Sequence, residues 1–204
     1  MADRASAPPR AWQRMLSGRR LDLLDPSPLD IEIEDIAHGL ARVARWNGQT
    51  VGTHAFSVAQ HTLLVEELAG TLAPGLDARG RLAVLLHDAP EYVIGDMISP
   101  FKALVGGAYK EIEVRLFAAI LTRFGLKSPL PAKLVDRIKQ ADHAAAYYEA
   151  TRLAGFSDAE ARRFFGSPRG VDPERLDLAP WPAARAEQRF LARFRVLLKA
   201  AEAG

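Results

Sequence analysis

The chain has 204 residues, 49% apolar and 25% charged, which is the balance of a globular domain with a large core. Its 27 Lys and Arg residues against 25 Asp and Glu leave a net charge of only +2, which does not predict nucleic-acid binding. The absence of cysteine excludes disulfides, thiolate metal sites and cysteine nucleophiles, and no apolar run predicts a membrane span or a signal peptide. A cytoplasmic location without a membrane partner is therefore expected.

The first part of the chain predicts an extension that precedes one folded domain. Residues 1–28 are rich in small residues, proline and arginine, and are expected to be partly mobile. Prolines at 26 and 28 make a turn, because each fixes its own φ, and the domain is expected to cover residues 29–204. A short helix is predicted over residues 34–45, followed by Gly48 in a left-handed conformation.

Amphipathic periodicity predicts five further helices and neither a hairpin nor an internal repeat. Their approximate bounds are Ser57 to Ala69 with Ser57 as the N-cap and Gly70 as the stop, Ala78 to Asp88, Ala108 to Phe124, Pro131 to Leu153, and Ala183 to Ala201. Pro90 lacks a backbone donor, so the helix before it should kink or end near His87. Arg162, Arg163 and Pro168 are assigned to a connecting region. The prediction is an all-α bundle with an additional C-terminal helix.

Three of these helices carry residues that can bind a metal on the faces predicted to point inward. His61, His87 and Asp142 each lie three, four or seven residues from apolar residues of their own helix, and Asp88 follows His87 directly. Imidazole and carboxylate without thiolate suit one divalent transition metal ion: Co, Mn, Fe, Ni or Zn. We expect these four residues to bind it. Taken singly, His61 could be a core histidine and Asp142 could pair with Lys or Arg.

The same four residues carry a resemblance to a known family. Their order matches the H…HD…D signature, and the chain resembles the HD-domain phosphohydrolases, particularly the bacterial 5′-deoxynucleotidase branch, over roughly residues 36–148. The likeness is carried by the run from His87 to Asp96, by Ser99, Pro100 and Lys102, by Tyr109 to Glu113, by Lys139 to Asp142, and by Arg45-Trp46. Asp35 to His38 and Ser57 to His61 are also similar to phage-type HD hydrolases that cleave dATP to the nucleoside and triphosphate.

The resemblance implies an HD-domain helical bundle and roles for individual residues. Asp88 and Glu91 would be the catalytic residues, with Glu91 orienting or deprotonating the attacking water. Arg45 would clamp the phosphate, and Trp46 would press on the sugar and disfavour a 2′-hydroxyl. The residues expected to meet the deoxyribose are Asp96, Met97, Ile98 and Ser99.

Each of these roles has a structural alternative. Glu91 could be a solvated helix residue, and Asp96 could belong to the chemistry of a turn. Arg45 and Trp46 could form a salt bridge and a core contact. The remaining candidates are expected to be structural or solvent-exposed; they are His38, His54, His143, Lys102 and Lys110. Of these, His54 could line a pocket, and one of the two lysines could help bind phosphate.

The expected function is hydrolysis of deoxynucleotides, with a nucleotide as the partner and no nucleic acid. A 5′-deoxynucleotidase that releases phosphate from deoxynucleoside monophosphates is the first hypothesis. A dNTP triphosphohydrolase and a non-catalytic nucleotide-binding regulatory module are the alternatives. A triphosphate would need several cations, and only Arg45, Lys102 and Lys110 are candidates, which favours the monophosphate. The resemblance also implies a homo-oligomer, a dimer or larger, with the C-terminal helix as a plausible interface.

Overall fold

A computed structural model describes residues 10–98, 101, 102, 104 and 107–203, and eight α-helices lie wholly within them beside a two-stranded sheet. The predicted all-α fold is confirmed. The elements are β1 (Trp12–Arg14), β2 (Arg20–Asp22), α1 (Ile33–Leu40), α2 (Val58–Leu72), α3 (Ala78–Leu85), α4 (Glu91–Ile94), α5 (Gly107–Arg123), α6 (Ala132–Arg152), α7 (Asp158–Phe165) and α8 (Ala183–Ala203). None of the helices in these ranges combines the length and apolarity that a bilayer crossing requires.

Helix α2 positions the functional site because it contacts α3, α6 and α8. Val58 and Ala59 at its start belong to one apolar cluster of the core, and Leu64 and Val65 belong to a second. His61 lies between them along the helix, and its side chain is completely buried. The inward orientation predicted for His61 is confirmed, and the polar ring is enclosed where the two clusters meet.

The ends of α2 agree with prediction at one terminus only. The Ser57 hydroxyl accepts a hydrogen bond from the Gln60 N–H at 3.2 Å, so the predicted N-cap is confirmed. The predicted stop at Gly70 is wrong, because the helix continues to Leu72. A Cβ at Gly70 would lie 2.8 Å from Nη2 of Arg81. This glycine gives the Arg81 side chain room to cross the helix.

Helix α3 ends at Leu85, three residues before its predicted end, and the pair His87-Asp88 lies in the following turn. The His87 N–H donates to the Val84 carbonyl at 3.2 Å, a bond that spans three residues and tightens the chain. Pro90 stands between this turn and α4, which begins at Glu91. The predicted break near His87 is therefore confirmed, and it turns the backbone between the pair His87-Asp88 and Glu91.

A β-hairpin lies within the segment that the sequence assigns to an N-terminal extension, where no hairpin is predicted. Strands β1 and β2 pair antiparallel. Ser17, in the connecting turn, donates its N–H and its hydroxyl to the Asp35 carboxylate at 2.9 and 2.5 Å. Leu21 is completely buried and Met15 nearly so, both in the main core cluster. The hairpin is fixed by contacts with residues distant in sequence, which the local pattern does not show.

Two other boundaries differ from the sequence interpretation. Helix α1 ends at Leu40 instead of continuing to Arg45, and a separate 3₁₀ turn covers Arg45–Gly48, with Gly48 at φ 73°. Helix α7 occupies part of the region assigned to a connection. Its start is fixed by a capping box, in which Glu160 accepts from the Ser157 N–H at 2.8 Å and donates its own N–H to the Ser157 hydroxyl at 3.3 Å.

Gly39 is the point where α1 meets α4. A Cβ there would lie 2.7 Å from the Tyr92 carbonyl oxygen and 2.8 Å from the Tyr92 Cβ. An added Cβ would clash with these atoms, and the clash could be relieved only by moving the α4 backbone. We therefore expect Gly39→Ala to lower the free energy of unfolding by about 1–3 kcal/mol, measured by urea denaturation. Gly75→Ala is the control, since its Cβ would meet nothing within 4 Å. Equal stabilities of the two variants would contradict the close contact.

Candidate metal centre and its cavity

Three metal-ligating side chains converge between α2 and the turn that follows α3. His61 comes from α2, and His87 and Asp88 come from the turn. Their ligand atoms all lie within 4.8 Å of one another, so the group could hold a metal ion. Oδ2 of Asp88 lies 3.4 Å from Nε2 of His61 and 3.3 Å from Nε2 of His87.

The two histidine rings have the hydrogen bonding that metal ligands show. Nδ1 of His61 contacts Oε1 of Glu149 at 2.5 Å, and Nδ1 of His87 contacts the Val84 carbonyl oxygen at 2.8 Å. Both Nε2 atoms are buried, lie 3.2–3.4 Å from carboxylate oxygens and have no hydrogen-bond partner within the described residues. A ring held through Nδ1, with Nε2 turned toward carboxylates, fits a metal ligand.

Asp142 approaches the same group from α6. Its Oδ1 atom lies 3.2 Å from Nε2 of His61, and 35% of its side chain is exposed. Among the residues that the structure describes, no Lys or Arg forms a salt bridge with Asp142, so the alternative ion pair is not seen. Asp142 is not among the three residues whose ligand atoms all lie within 4.8 Å of one another, although its carboxylate would extend a donor set that suits a divalent transition metal.

The charges of the centre shift the pKa values of its ligands. Burial alone would lower the pKa of His61, but the carboxylates of Glu149 and Asp142 outweigh it and raise that pKa well above its usual value. Burial alone would raise the pKa of Asp88, but His87 and then His61 hold it well below its usual value. Without a metal the centre therefore favours imidazolium beside carboxylate. A metal must displace these protons, since histidine binds it only when neutral.

Glu149 connects the metal centre to the residues expected to bind substrate. It is completely buried on α6. Oε1 contacts Nδ1 of His61, and Oε2 accepts from Nε1 of Trp46 at 2.9 Å and from Nε of Arg45 at 3.4 Å. The sequence does not predict Glu149 as a site residue, although it follows Asp142 by seven residues and so lies on the same helix face.

Arg45 and Trp46 occupy the 3₁₀ turn before α2. The Arg45 N–H donates to the Phe56 carbonyl at 2.8 Å, which ties the turn to the start of α2. Trp46 adopts φ 56° and ψ 28°, a left-handed conformation that is strained for a bulky residue. Its bond to Glu149 holds it there. Nη1 of Arg45 lies 3.2 Å from Oδ2 of Asp96, so the guanidinium is held between two carboxylates.

Glu91, the first residue of α4, is buried beside the turn that carries His87 and Asp88. Nζ of Lys102 lies 3.6 Å from its Oε1 atom, and its Oε2 atom has no hydrogen-bond partner in the described part of the chain. Burial, followed by the charges of Asp88 and Asp96, raises the pKa of Glu91 well above its usual value. A cation bound at Asp88 would act in the opposite direction and favour the ionised carboxylate.

A cavity of about 490 Å³ brings these groups together. Its polar lining is Arg45, Asp88, Glu91, Asp96, Lys102, Asp142 and His143, and its apolar lining is Trp46, Met97, Ile98, Ala146, Phe156, Phe164 and Phe165. The predicted catalytic and substrate-binding residues thus share one cavity, apart from Ser99, which lies outside the described residues. The arrangement combines a candidate metal site, a buried carboxylate, two cations and an aromatic surface.

The chain is similar to a bacterial protein over almost its whole length. An uncharacterized protein of Rhodobacter capsulatus is 60% identical over 190 residues, which are 93% of this chain and 97% of that protein. The chain belongs to that protein's family. No protein-family model matches the chain.

The remaining histidines and Lys110, which are not assigned to the metal, differ from one another in exposure and contacts. His143 is exposed and lies on the cavity wall. His54 is exposed and is not part of the cavity lining, and Nδ1 of His38 lies 3.4 Å from Oε2 of Glu187. Lys110 has 72% of its side chain exposed and pairs with Glu113, as expected for a surface charge.

Three phenylalanines of the cavity lie outside residues 36–148, the part of the chain that resembles the HD-domain phosphohydrolases. They are Phe156, Phe164 and Phe165, around and within α7. The sequence interpretation assigns no site residue to this region. The Ser157–Glu160 capping box was the signal that a helix starts here, with the Phe164-Phe165 pair in its last turn.

Proposed function

We propose that the protein is a metal-dependent hydrolase of deoxynucleotides, specifically a 5′-deoxynucleotidase that converts a deoxynucleoside monophosphate and water to a deoxynucleoside and phosphate. The observation that carries the proposal is Glu91, a buried carboxylate on the wall of the cavity, next to the candidate metal ligands and to Lys102. A module that only binds nucleotides has no need of a carboxylate there that can activate water. This position therefore supports an enzyme over the regulatory module.

The proposed metal would be one divalent transition ion, Co, Mn, Fe, Ni or Zn, held by His61, His87, Asp88 and Asp142. The buried Nε2 atoms of the two histidines support this assignment, since they face carboxylate oxygens and have no hydrogen bond in the described part of the chain. When bound, such an ion neutralises phosphate charge and lowers the pKa of a nearby water. Glu149 would hold the His61 ring in the orientation that keeps Nε2 directed at the ion.

Glu91 would accept a proton from the attacking water through Oε2. Lys102, 3.6 Å from Oε1, favours the ionised form of Glu91 that this step requires. The water oxygen then bonds to phosphorus while the bond from phosphorus to the sugar 5′-oxygen breaks, and the departing oxygen takes up a proton. Removal of a general base of this kind lowers rates by about 10²–10⁴-fold.

Arg45 would bind the phosphate. Its contacts with Asp96 and Glu149 use Nη1 and Nε, so Nη2 is available to a phosphate oxygen. Asp96 can accept a hydrogen bond from the sugar 3′-hydroxyl, and Trp46 would lie against the sugar where a 2′-hydroxyl would be crowded. Met97 and Ile98 would complete the sugar site. The role predicted for Ser99 stays a prediction.

The charge of the cavity supports a monophosphate substrate over a triphosphate. Arg45 and Lys102 are the cations on the part of the wall that the structure describes. The same wall carries four carboxylates: Asp88, Glu91, Asp96 and Asp142. A triphosphate would bring several more negative charges to this surface than a monophosphate, and two cations with one divalent ion balance the smaller ligand better.

Turnover of a substrate panel tests the proposed function. The protein is stripped of metal, supplied with Mn²⁺ or Co²⁺, and incubated with deoxynucleoside monophosphates, the matching ribonucleotides, and dNTPs. Phosphate is expected from the deoxynucleoside monophosphates, more slowly from the ribonucleotides, and from neither after chelation. Triphosphate as the product would replace the proposal by a triphosphohydrolase. A protein that binds metal but turns over no substrate would contradict the enzymatic function.

A further inference from the structure

The aromatic part of the cavity wall is a single connected cluster. The ring centroid of Trp46 lies 5.5 Å from that of Phe156 and 5.8 Å from that of Phe165, in edge-to-face contacts. Phe164 extends the cluster, with centroid distances of 6.4 Å to Phe156 and 6.3 Å to Phe165. Trp46 connects this cluster to the candidate metal centre, because its Nε1 atom donates to Glu149, which contacts His61, while its ring contacts the phenylalanines. The aromatic surface therefore continues directly from the proposed sugar site.

Phe164 is the member of the cluster that solvent reaches most. Its exposed fraction is 60%, whereas Phe156 and Phe165 are half-buried. Single exposed apolar residues are ordinary on a protein surface. Phe164 differs from them because it lines a cavity and adjoins two other rings of that cavity. A flat ligand in the cavity could cover the open part of this ring.

The segment that carries the phenylalanines is joined to α6 near its N-terminal end. Asp158, the first residue of α7, accepts hydrogen bonds from the Tyr147 hydroxyl and from Nε of Arg162, the latter at 2.6 Å. Glycines with positive φ precede and follow the segment, Gly155 at 76° and Gly166 at 79°. The aromatic surface is thus present before a ligand binds, which lowers the entropy lost on binding.

We propose that the cluster of Trp46, Phe156, Phe164 and Phe165 is a nucleobase subsite, in which the base of the substrate stacks on Phe164. The subsite rests on the proposed function, since it takes the base of the same nucleotide whose phosphate meets Arg45. Aromatic rings contact the face of a base and not its hydrogen-bonding edges, so the subsite accepts different bases. Purines bind more tightly than pyrimidines, because they cover more of the ring.

Calorimetric binding with Mn²⁺ present tests the subsite with two probes, in protein that carries Glu91→Gln so that the probes are not hydrolysed during the titration. One is deoxyadenosine 5′-monophosphate, and the other is 2-deoxyribose 5-phosphate, which has no base. Phe164→Ala is expected to raise the Kd of the nucleotide by about tenfold or more. The Kd of the sugar phosphate is expected to stay unchanged, and Phe164→Tyr should bind both probes as the wild type does. Leu29→Ala is the control, since Leu29 is 73% exposed and does not line the cavity.

Two results would overturn the subsite. One is a nucleotide Kd that is the same with and without Phe164, and the other is an equal weakening of both probes, which indicates a structural effect. The outcome is separate from turnover. Phe164-dependent binding without hydrolysis keeps the subsite and refutes the nucleotidase, whereas hydrolysis with Phe164-independent binding does the reverse. A wild-type protein that binds neither probe overturns both.

Discussion

Replacing Glu91 by glutamine is expected to lower kcat for phosphate release by about 10²–10⁴-fold while the protein keeps its metal. Glutamine matches glutamate in shape but cannot take the proton of the attacking water. Glu91 lies outside the group His61, His87 and Asp88 that could hold the ion, so metal affinity should be little changed. Because burial and the charges of neighbouring carboxylates raise the pKa of Glu91, a neutral side chain there is not expected to lower stability. Phosphate release and metal-binding calorimetry measure the two effects.

Glu113→Gln is the matched control for this substitution. Glu113 contacts the same lysine, with Oε1 3.4 Å from Nζ of Lys102, but it is not part of the cavity lining. Its loss should leave kcat near the wild-type value, so that a large effect of Glu91→Gln cannot be ascribed to a displaced Lys102. An unchanged rate in Glu91→Gln would remove the proposed role of Glu91 in activating water.

Glu149→Gln is expected to weaken metal binding by about 10–100-fold, the usual effect of removing the carboxylate that orients a histidine ligand. It should also lower the free energy of unfolding by about 3–5 kcal/mol, because a buried charge cluster loses one partner. The carboxylate accepts from His61, Trp46 and Arg45, and a glutamine amide would direct its NH₂ group at one of these donors. Metal-binding calorimetry and urea denaturation measure the two losses.

Glu66→Gln separates the metal effect from the loss of stability. Glu66 is 3% exposed and accepts from Arg193 Nη2 and Nε at 2.7 and 2.8 Å, so it is also a buried carboxylate paired with arginine. It has no contact with the candidate metal ligands. This variant should be destabilised but should bind metal as the wild type does. If Glu149→Gln binds metal as tightly as Glu66→Gln, Glu149 does not position His61.

The helical bundle could be predicted because its signals are local. The 3.6-residue spacing of apolar residues indicates which face of each helix is buried, and it placed His61 in the core. Ser57 is a good N-cap by side-chain chemistry, and Pro90 interrupts a helix because it lacks an N–H. Each of these features depends on residues within a few positions of one another.

The hairpin and the Glu149 network depend on contacts between residues far apart in sequence. The turn of the hairpin is held by Ser17 and Asp35, 18 residues apart. Glu149 meets Trp46 across 103 residues, and a glutamate in a long helix is ordinarily solvent-exposed. Burial of that carboxylate is favourable only once the donors around it are assembled by the fold.

The cavity was predictable only in part. The candidate metal ligands and Glu91 have a recognisable spacing in the sequence, and the structure places these residues near one another. The aromatic wall does not follow from any such spacing, because Phe156 and Phe165 reach Trp46 only after the chain has turned at Gly155 into α7. The proposed base subsite is therefore visible in the structure alone.

Anomalous diffraction from crystals soaked in Zn²⁺ examines the proposed metal centre at atomic level. One strong peak per chain is expected, about 2.0–2.2 Å from Nε2 of His61, Nε2 of His87 and carboxylate oxygens of Asp88 and Asp142. A peak located only elsewhere on the protein, or no peak at saturating Zn²⁺, would contradict the metal centre and with it the metal-dependent hydrolase.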